Sequence, residues 1–343
     1  MSNSLKNLSE IGEFGLIDHL TKNITLQHPS SLLGIGDDAA VIDCDGENVL
    51  LVSTDILVEG VHFNLMYVPL KHLGYKAVAV NASDICAMNG IPEQITVSIA
   101  VSSKFSVEAL EELYEGIRSA CSTYSIDLVG GDTTTSLSGL MISITAIGRA
   151  KKENVVYRSG AKEHDLIVVS GDLGGAYMGL QLLEREREVY LANPNIQPDL
   201  DGHDYILERQ LKPEARLDVV RFLRELGVQP TSMIDVSDGL ASELLHICKA
   251  SKVGCRIYDE KLPIDAKTSM VAIDFNIDPV TCVLNGGEDY ELLFTIKQSD
   301  YEKVASNPNF SVIGHVTDAS EGAYYVDKMG SVVEIKAQGW THF

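Results

Sequence analysis

Five short acidic motifs, each pairing aspartate with glycine or a small hydroxyl residue, limit what this chain can fold into. They are GIGDDAAV (34–41), STD (53–55), NASD (81–84), GGDTTTS (130–136) and DVSDG (235–239). Four of the five follow an apolar run that reads as a strand, which predicts carboxylates delivered from strand ends, where α/β and α+β proteins assemble their sites. Carboxylates gathered at one place repel each other unless cations sit among them. Oxygen ligands without Cys or His partners select Mg²⁺ or Ca²⁺, and a glycine-flanked Mg²⁺ site points to a polyphosphate.

Length and charge narrow the class. The 343 residues are long for one core and comfortable for two domains. With 49 acidic against 27 basic residues the formal charge is −22, which argues against a nucleic-acid or anionic-membrane surface but leaves a nucleotide held through cations compatible. The six cysteines (44, 86, 121, 248, 255, 282) form no C-x-x-C pair and read as reduced thiols. No basic, then apolar, leader opens the sequence, and no apolar run approaches the ~20 residues that cross a bilayer. A soluble, cytoplasmic protein is expected.

Periodicity predicts mixed strands and helices in the first half. ENVLLVSTD, ITVSIAV, IDLVGGD and LMISITAIG read as strands, the first ending in STD and the third ending at the two glycines. LKHLGYKAVAVNASDICAMNG and SVEALEELYEGIRSACSTY read as helices, the second with Ser106 as N-cap. A polar, Lys-rich connector places the boundary at 151–153, giving an N-terminal α/β domain (1–152) and a C-terminal α+β domain (153–343). The second half opens with a strand–glycine–helix unit, LIVVSGDLGGAYMGLQLL, followed by a polar insertion over about 184–212. A helix from Pro213 to Gly227 then leads to the strand SMID, and a terminal hairpin closes the chain.

Each motif has a chemical and a plain structural reading. On the first helix Leu73, Ala77, Asn81, Asp84 and Met88 share a face, so Asp84 sits on an apolar stripe, where a carboxylate must be paired, ligate a metal or cap a neighbouring loop. In extended chain only one of Asp37 and Asp38 faces a given metal. Ser53, Thr54 and Asp55 offer hydroxyls, carbonyls and a carboxylate. The glycines of GGDTTTS let backbone N–H groups approach an anion, with Asp132 beside them to hold a bridging metal. Arg158 is either a phosphate ligand or a surface arginine. In DVSDG, Ser237 or Asp238 is expected to cap the following helix, leaving Asp235 at the strand end as the metal ligand. Asp172, in the strand–glycine–helix unit, reads as a strand terminator or as a phosphate-loop residue. Neither a P-loop nor a protein-kinase motif set is present.

Taken in order, GIGDDAAV, STDILVEGVHF, YKAVAVNASDICAMNG, GGDTTTS, RSGAK, DVSDGL and NGGEDYELLF resemble the thiamine-monophosphate kinase family, within the aminoimidazole ribonucleotide synthetase-like (PurM-like) ATP-binding superfamily. The resemblance runs from about Gly12 to the terminal GWTHF, with a departure at Asn193 to His203. It implies an N-terminal domain that dimerises through its sheet into a barrel, and a C-terminal α+β domain. It implies Asp38, Ser53, Thr54, Asp55, Asp84, Asp132 and Asp235 as Mg²⁺ ligands and Asp238 as ligand to a further cation. Gly131, Asp132, Arg158 and Ser237 would contact ATP. His62, Glu288 and Trp340 would contact thiamine monophosphate. The cationic thiazolium suits a carboxylate and a tryptophan that stacks on it, although Trp340 also reads as a C-terminal anchor, Glu288 as a turn residue and His62 as a loop histidine.

The implied reaction is direct, in-line transfer of the γ-phosphoryl group of ATP to thiamine monophosphate, with Mg²⁺ assistance and no acid–base residue. The superfamily's selenophosphate synthetase and hydrogenase-maturation branches are disfavoured by the lack of an N-terminal glycine-rich Cys and a C-terminal Cys. Aminoimidazole ribonucleotide synthetase is the nearest alternative enzyme, and a non-catalytic divalent-cation-binding protein the alternative of another class.

Overall fold

A computed structural model describes residues 12–338. Helix α1 (Gly12–Thr21) precedes a six-stranded sheet made of β1 (Ser31–Leu33), β2 (Ala40–Asp43), β3 (Asn48–Val58), β4 (Ile91–Val101), β5 (Asp127–Thr135) and β6 (Met141–Lys151). Its order is β1-β2-β3-β6-β4-β5, antiparallel except for the parallel β4–β5 pair at the edge. Along β3, Val49, Leu51 and Ser53 alternate inward as a half-buried strand requires. That inner face is covered by α2 (Leu70–Ala87), against which α3 (Val107–Tyr124) lies. The sheet is open, and no closed barrel is formed among the described residues.

The second sheet has seven strands: β7 (Leu166–Ser170), β8 (Ser232–Asp235), β9 (Gly254–Tyr258), β10 (Leu292–Ile296), β11 (Phe310–Thr317), β12 (Ala323–Val326) and β13 (Val332–Glu334). They run in the order β13-β12-β9-β11-β7-β10-β8. Around them are α4 (Gly175–Ala192), α5 (Asp204–Leu211), α6 (Leu217–Glu225), α7 (Leu240–Ser251), α8 (Ala266–Asp274), α9 (Pro279–Asn285) and the short α10 (Tyr301–Val304). With β12 parallel to β9 and the other neighbours antiparallel, this is a mixed sheet in an α+β setting.

Several local expectations are corrected. STD lies in mid-strand because β6 pairs with all eleven residues of β3, and GGDTTT is itself part of β5, hydrogen-bonded to β4. DVSDG leaves from the end of β8 and GIGDDAAV from the end of β1, as expected. The apolar stripe predicted on α2 is replaced by burial on almost every side, from Leu73 to Ala87, with Asp84 the one partly exposed position. The reason is its place between the first sheet, α3 and β8 of the second sheet. Much of the 184–212 insertion is helical, as the end of α4 and α5. Helix α6 begins at Leu217, not Pro213, since Glu214 accepts from the phenols of Tyr75 and Tyr124 and Arg216 turns in to Glu291. Ser106 caps α3 as expected, its Oγ accepting from Ala109 N–H at 3.2 Å.

Helices α2 and α3 touch backbone to backbone. A Cβ added at Gly74 would stand 2.0 Å from the Leu113 carbonyl oxygen, and one at Gly116 would stand 1.9 Å from that of Lys71. One continuous core joins these helices to Leu217, Val220, Leu292 and Phe294 of the second half. Gly74→Ala should therefore destabilise the protein by about 3 kcal/mol, the upper end of ordinary overpacking. Urea unfolding that shows less than about 0.5 kcal/mol of loss would contradict this contact.

Candidate active site

Three of the motifs converge where α2 crosses between the sheets. Asp38, Asp84 and Asp235 each offer a carboxylate oxygen, and the three atoms lie within 4.8 Å of one another. Ser53, on the inner face of β3, donates to Asp84 Oδ2. Ser83 donates to Asp235 Oδ2 at 2.6 Å. Asn81, one turn before Asp84, accepts from the Asp55 N–H at 3.0 Å and donates to the Ala77 carbonyl at 2.9 Å, so it fixes β3 against α2. Asp55 shares the Ser53 side of β3, since residues two apart face the same way, and its charge acts on both Asp84 and Asp235.

Arg158 partly offsets this charge. Its guanidinium donates to Asp38 Oδ1 at 2.5 and 3.1 Å, and its backbone N–H donates to both oxygens of Asp37 at 3.2 Å. The two neighbouring aspartates are thus divided, Asp38 to the cluster and Asp37 to the chain of Arg158. Asp38 Oδ2 remains buried without a hydrogen-bond partner. An orphaned anionic oxygen among carboxylates and a serine hydroxyl is a donor set that fits Mg²⁺.

Electrostatics report the same strain. Burial pushes Asp55 up to about 6. Burial and the Asp38 charge push Asp235 to about 7 against the opposing Ser83 and Arg158. Burial and Asp38 likewise raise Asp37 to about 7. Asp84 is raised well above the usual range by burial and then by Asp55, Asp235 and Asp38, and Asp38 is raised by burial against Arg158.

The other expected residues are placed as follows. Thr54 is exposed on the opposite face of β3, its hydroxyl donating to the Ile144 carbonyl at 3.0 Å. Gly131 and Asp132 lie on β5, paired with Val97 and Ser98, and a Cβ at Gly131 would meet the Val97 carbonyl at 1.8 Å. Asp132 is exposed and three strands from β3 in the sheet order, roughly 14 Å at the usual strand spacing. His62 Nδ1 accepts from the Val58 N–H at 3.0 Å. Glu288 pairs with Lys76 at 2.8 Å. Trp340 lies outside the described residues.

The DVSDG loop corrects the expected cap. Helix α7 has Gly239 at its N-cap, with a φ of 114° and no side-chain cap. Glu243, buried in the first turn, instead reaches back to accept from the N–H groups of Ser237 at 3.2 Å and Asp238 at 2.8 Å. Burial and Asp238 push Glu243 to about 8. Neither Glu243 nor Ser83 was singled out in the sequence; Glu243 carries a signal, an acidic residue in the first turn of a helix without another cap. The other glycine loop is occupied, because Asp289 accepts from the Gly174 N–H at 2.6 Å and the Ala176 N–H at 3.2 Å at the start of α4.

A carboxylate raised in the folded state contributes stability below its unfolded value near 3.9 and loses it as pH rises through the folded value. For Asp55, Asp235 and Asp37 that loss falls between about pH 4 and 7. Cation binding requires the ionised forms. Addition of Mg²⁺ should raise the thermal midpoint more at pH 8 than at pH 5, and equal increments in scanning calorimetry would oppose the site.

Residues 36–150 match the family described as AIR synthase related protein, N-terminal domain, and residues 162–327 match AIR synthase related protein, C-terminal domain. The chain is 35% identical to thiamine-monophosphate kinase of Bacillus subtilis (strain 168) over 336 residues, covering 96% of this chain and 99% of the relative. It is 34% identical to that of Aquifex aeolicus (strain VF5) over 338 residues, covering 98% and 99%. Among solved structures, AaThiL complexed with AMPPCP and TMP superposes with a TM-score of 0.84 at 33% identity, covering both chains fully. Two mixed sheets joined by a buried helix, the aspartates at their seam and this likeness along the whole length place the chain in the thiamine-monophosphate kinase family.

Proposed function

We propose that the protein transfers the γ-phosphoryl group of ATP to thiamine monophosphate, giving thiamine diphosphate and ADP. The observation that carries this reading is the convergence of Asp38, Asp84 and Asp235, with Asp55 beside them, in a chain whose full-length relatives are kinases of that substrate. The acceptor is a phosphate monoester with a second pKa of about 6, so near neutral pH it attacks as an anion and needs no base. That agrees with a site built from carboxylates, with Arg158 as its cation.

Asp38, Asp55, Asp84 and Asp235, with Ser53, would hold Mg²⁺, and Thr54, Asp132 and Asp238 are proposed as further ligands. Held there, Mg²⁺ would supply charge neutralisation for two approaching phosphates. Arg158, Gly131 and Ser237 bind the nucleotide, Arg158 by moving part of its fork from Asp38 to phosphate. His62, Glu288 and Trp340 bind the acceptor and orient it in line. Asn81 and Glu243 keep β3 and the DVSDG loop in place for this alignment. The domain division at 152/153 is part of the same reading.

A homodimer supports completion of the site. All nine residues of β5 are exposed, Val129 at 59%, and the outer face of β3 leaves Ile56 exposed. A long bare edge strand is a pairing surface. If the sheets of two copies close a barrel, Asp132 and Gly131 of one copy approach the aspartates of the other, which a distance of three strands prevents within one chain.

Incubation with ATP, Mg²⁺ and thiamine monophosphate should yield thiamine diphosphate and ADP; consumption of ATP only with another acceptor would refute the substrate, and absence of nucleotide binding at excess Mg²⁺ would refute catalysis. Asp84→Asn should lower kcat at least about 10³-fold, the scale of one lost electrostatic stabiliser, while leaving the fold intact. Mixing Asp84→Asn with Asp132→Asn chains should restore part of the activity, and no recovery in mixed dimers would oppose the shared site.

A further inference from the structure

Lys76 is an unusual residue to find inside a chain of charge −22. Its side chain is 5% exposed, on the buried helix α2, and its ammonium donates to Glu288 at 2.8 Å and to the Gln210 carbonyl at 3.2 Å. The Gln210 side chain, also buried, donates from Nε2 to the second Glu288 oxygen at 2.8 Å. Glu288 itself is 28% exposed, so its carboxylate opens outward while both partners stand behind it. A buried charge without such partners is costly, and here the pairing is complete on the inner side only.

Two further observations point to a ligand beside this cluster. Gln210 Oε1 is buried with no hydrogen-bond partner. Turning the amide over would set its oxygen against the Glu288 oxygen, so the assignment is fixed by the network. Glu288 and Tyr290 also hold left-handed conformations, with φ of 59° and 52°. Such strained positions persist where surrounding contacts impose them. Here the Glu288 N–H donates to the Ser237 carbonyl at 2.7 Å and the Tyr290 N–H to that of Val236 at 2.9 Å, which latches this loop to the DVSDG loop. The Tyr290 phenol is buried, and the charges of Glu288, Asp55, Asp235 and Asp84 all act on it. Along α2, Lys76 and Asp84 are eight residues apart, roughly 12 Å, room for an acceptor whose phosphate lies at the aspartates.

We propose that Lys76 and Gln210 are the positioning residues of the acceptor site: Lys76 supplies the counter-charge that aims Glu288 at the cationic ring, and Gln210 Oε1 accepts a hydrogen bond from the amino group on the second ring. This rests on the acceptor being thiamine monophosphate. A site built to bond an amino group rejects the analogue that lacks it, because a buried acceptor is then left unpaired.

The test is steady-state kinetics with thiamine monophosphate and with the analogue in which a carbonyl oxygen replaces the amino group. Lys76→Met should raise KM for the acceptor about tenfold or more, the scale of one charge-assisted bond, with KM for ATP unchanged and partial recovery in Lys76→Arg. Wild type should favour the natural acceptor over the analogue by about tenfold or more, and Gln210→Leu should abolish that preference. Acceptor-induced shifts of the thermal midpoint, without ATP, should fall in parallel. If the wild type makes no thiamine diphosphate, the proposed function itself fails. If it does, but acceptor KM and the analogue preference survive in the folded variants, this inference alone is overturned. Should Lys76→Met fail to fold, the Gln210→Leu preference decides.

Discussion

The burial of α2 on almost every side is the constraint on which the rest of the structure depends. A helix in that position cannot solvate a charge, yet it carries Lys76 and Asp84. Each is placed where another element supplies what water would have supplied: Glu288 and the Gln210 carbonyl for Lys76, Ser53 for Asp84. The polar residues of α2 therefore fix the register of β3 and β8 and the position of the Glu288 loop, and the apolar ones join both halves in one core.

The same helix explains how a strongly acidic chain tolerates a knot of carboxylates. The second half buries its own charge in closed pairs, as where Glu291 receives both Arg209 and Arg216. At the aspartate cluster, Arg158 on Asp38 is the one paired cation among the described residues. The structure thus separates carboxylates neutralised by the chain, which are architectural, from carboxylates left under-neutralised, which have affinity to spare for an external cation.

Much of this was legible in the sequence, and the reasons for the rest are physical. The Ser106 cap and the extent of α2 follow from local chemistry and periodicity. The grouping of Asp38, Asp84 and Asp235 is legible only as a repeated composition, because each comes from a different element and their meeting is a property of the fold. Strand ends were misjudged at STD and GGDTTTS, where glycines and hydroxyl residues mimic a turn but ladder pairing with β6 and β4 continues. Thr54 could not be separated from Ser53 and Asp55 until the strand was known to run on, since alternation then turns its hydroxyl to the other face. Glu243 was hidden behind the better capping chemistry of Ser237 and Asp238, whose own N–H groups turned out to need the acceptor.

The glycine contact between α2 and α3 has a mechanical meaning. Two 18-residue helices that touch backbone to backbone at Gly74 and Gly116 cannot slide or tilt separately without a clash there. Asp84 is therefore carried on a stiff two-helix beam, and the small displacements that metal-site chemistry tolerates are set by the bending of that beam, not by the rotamer freedom of one aspartate.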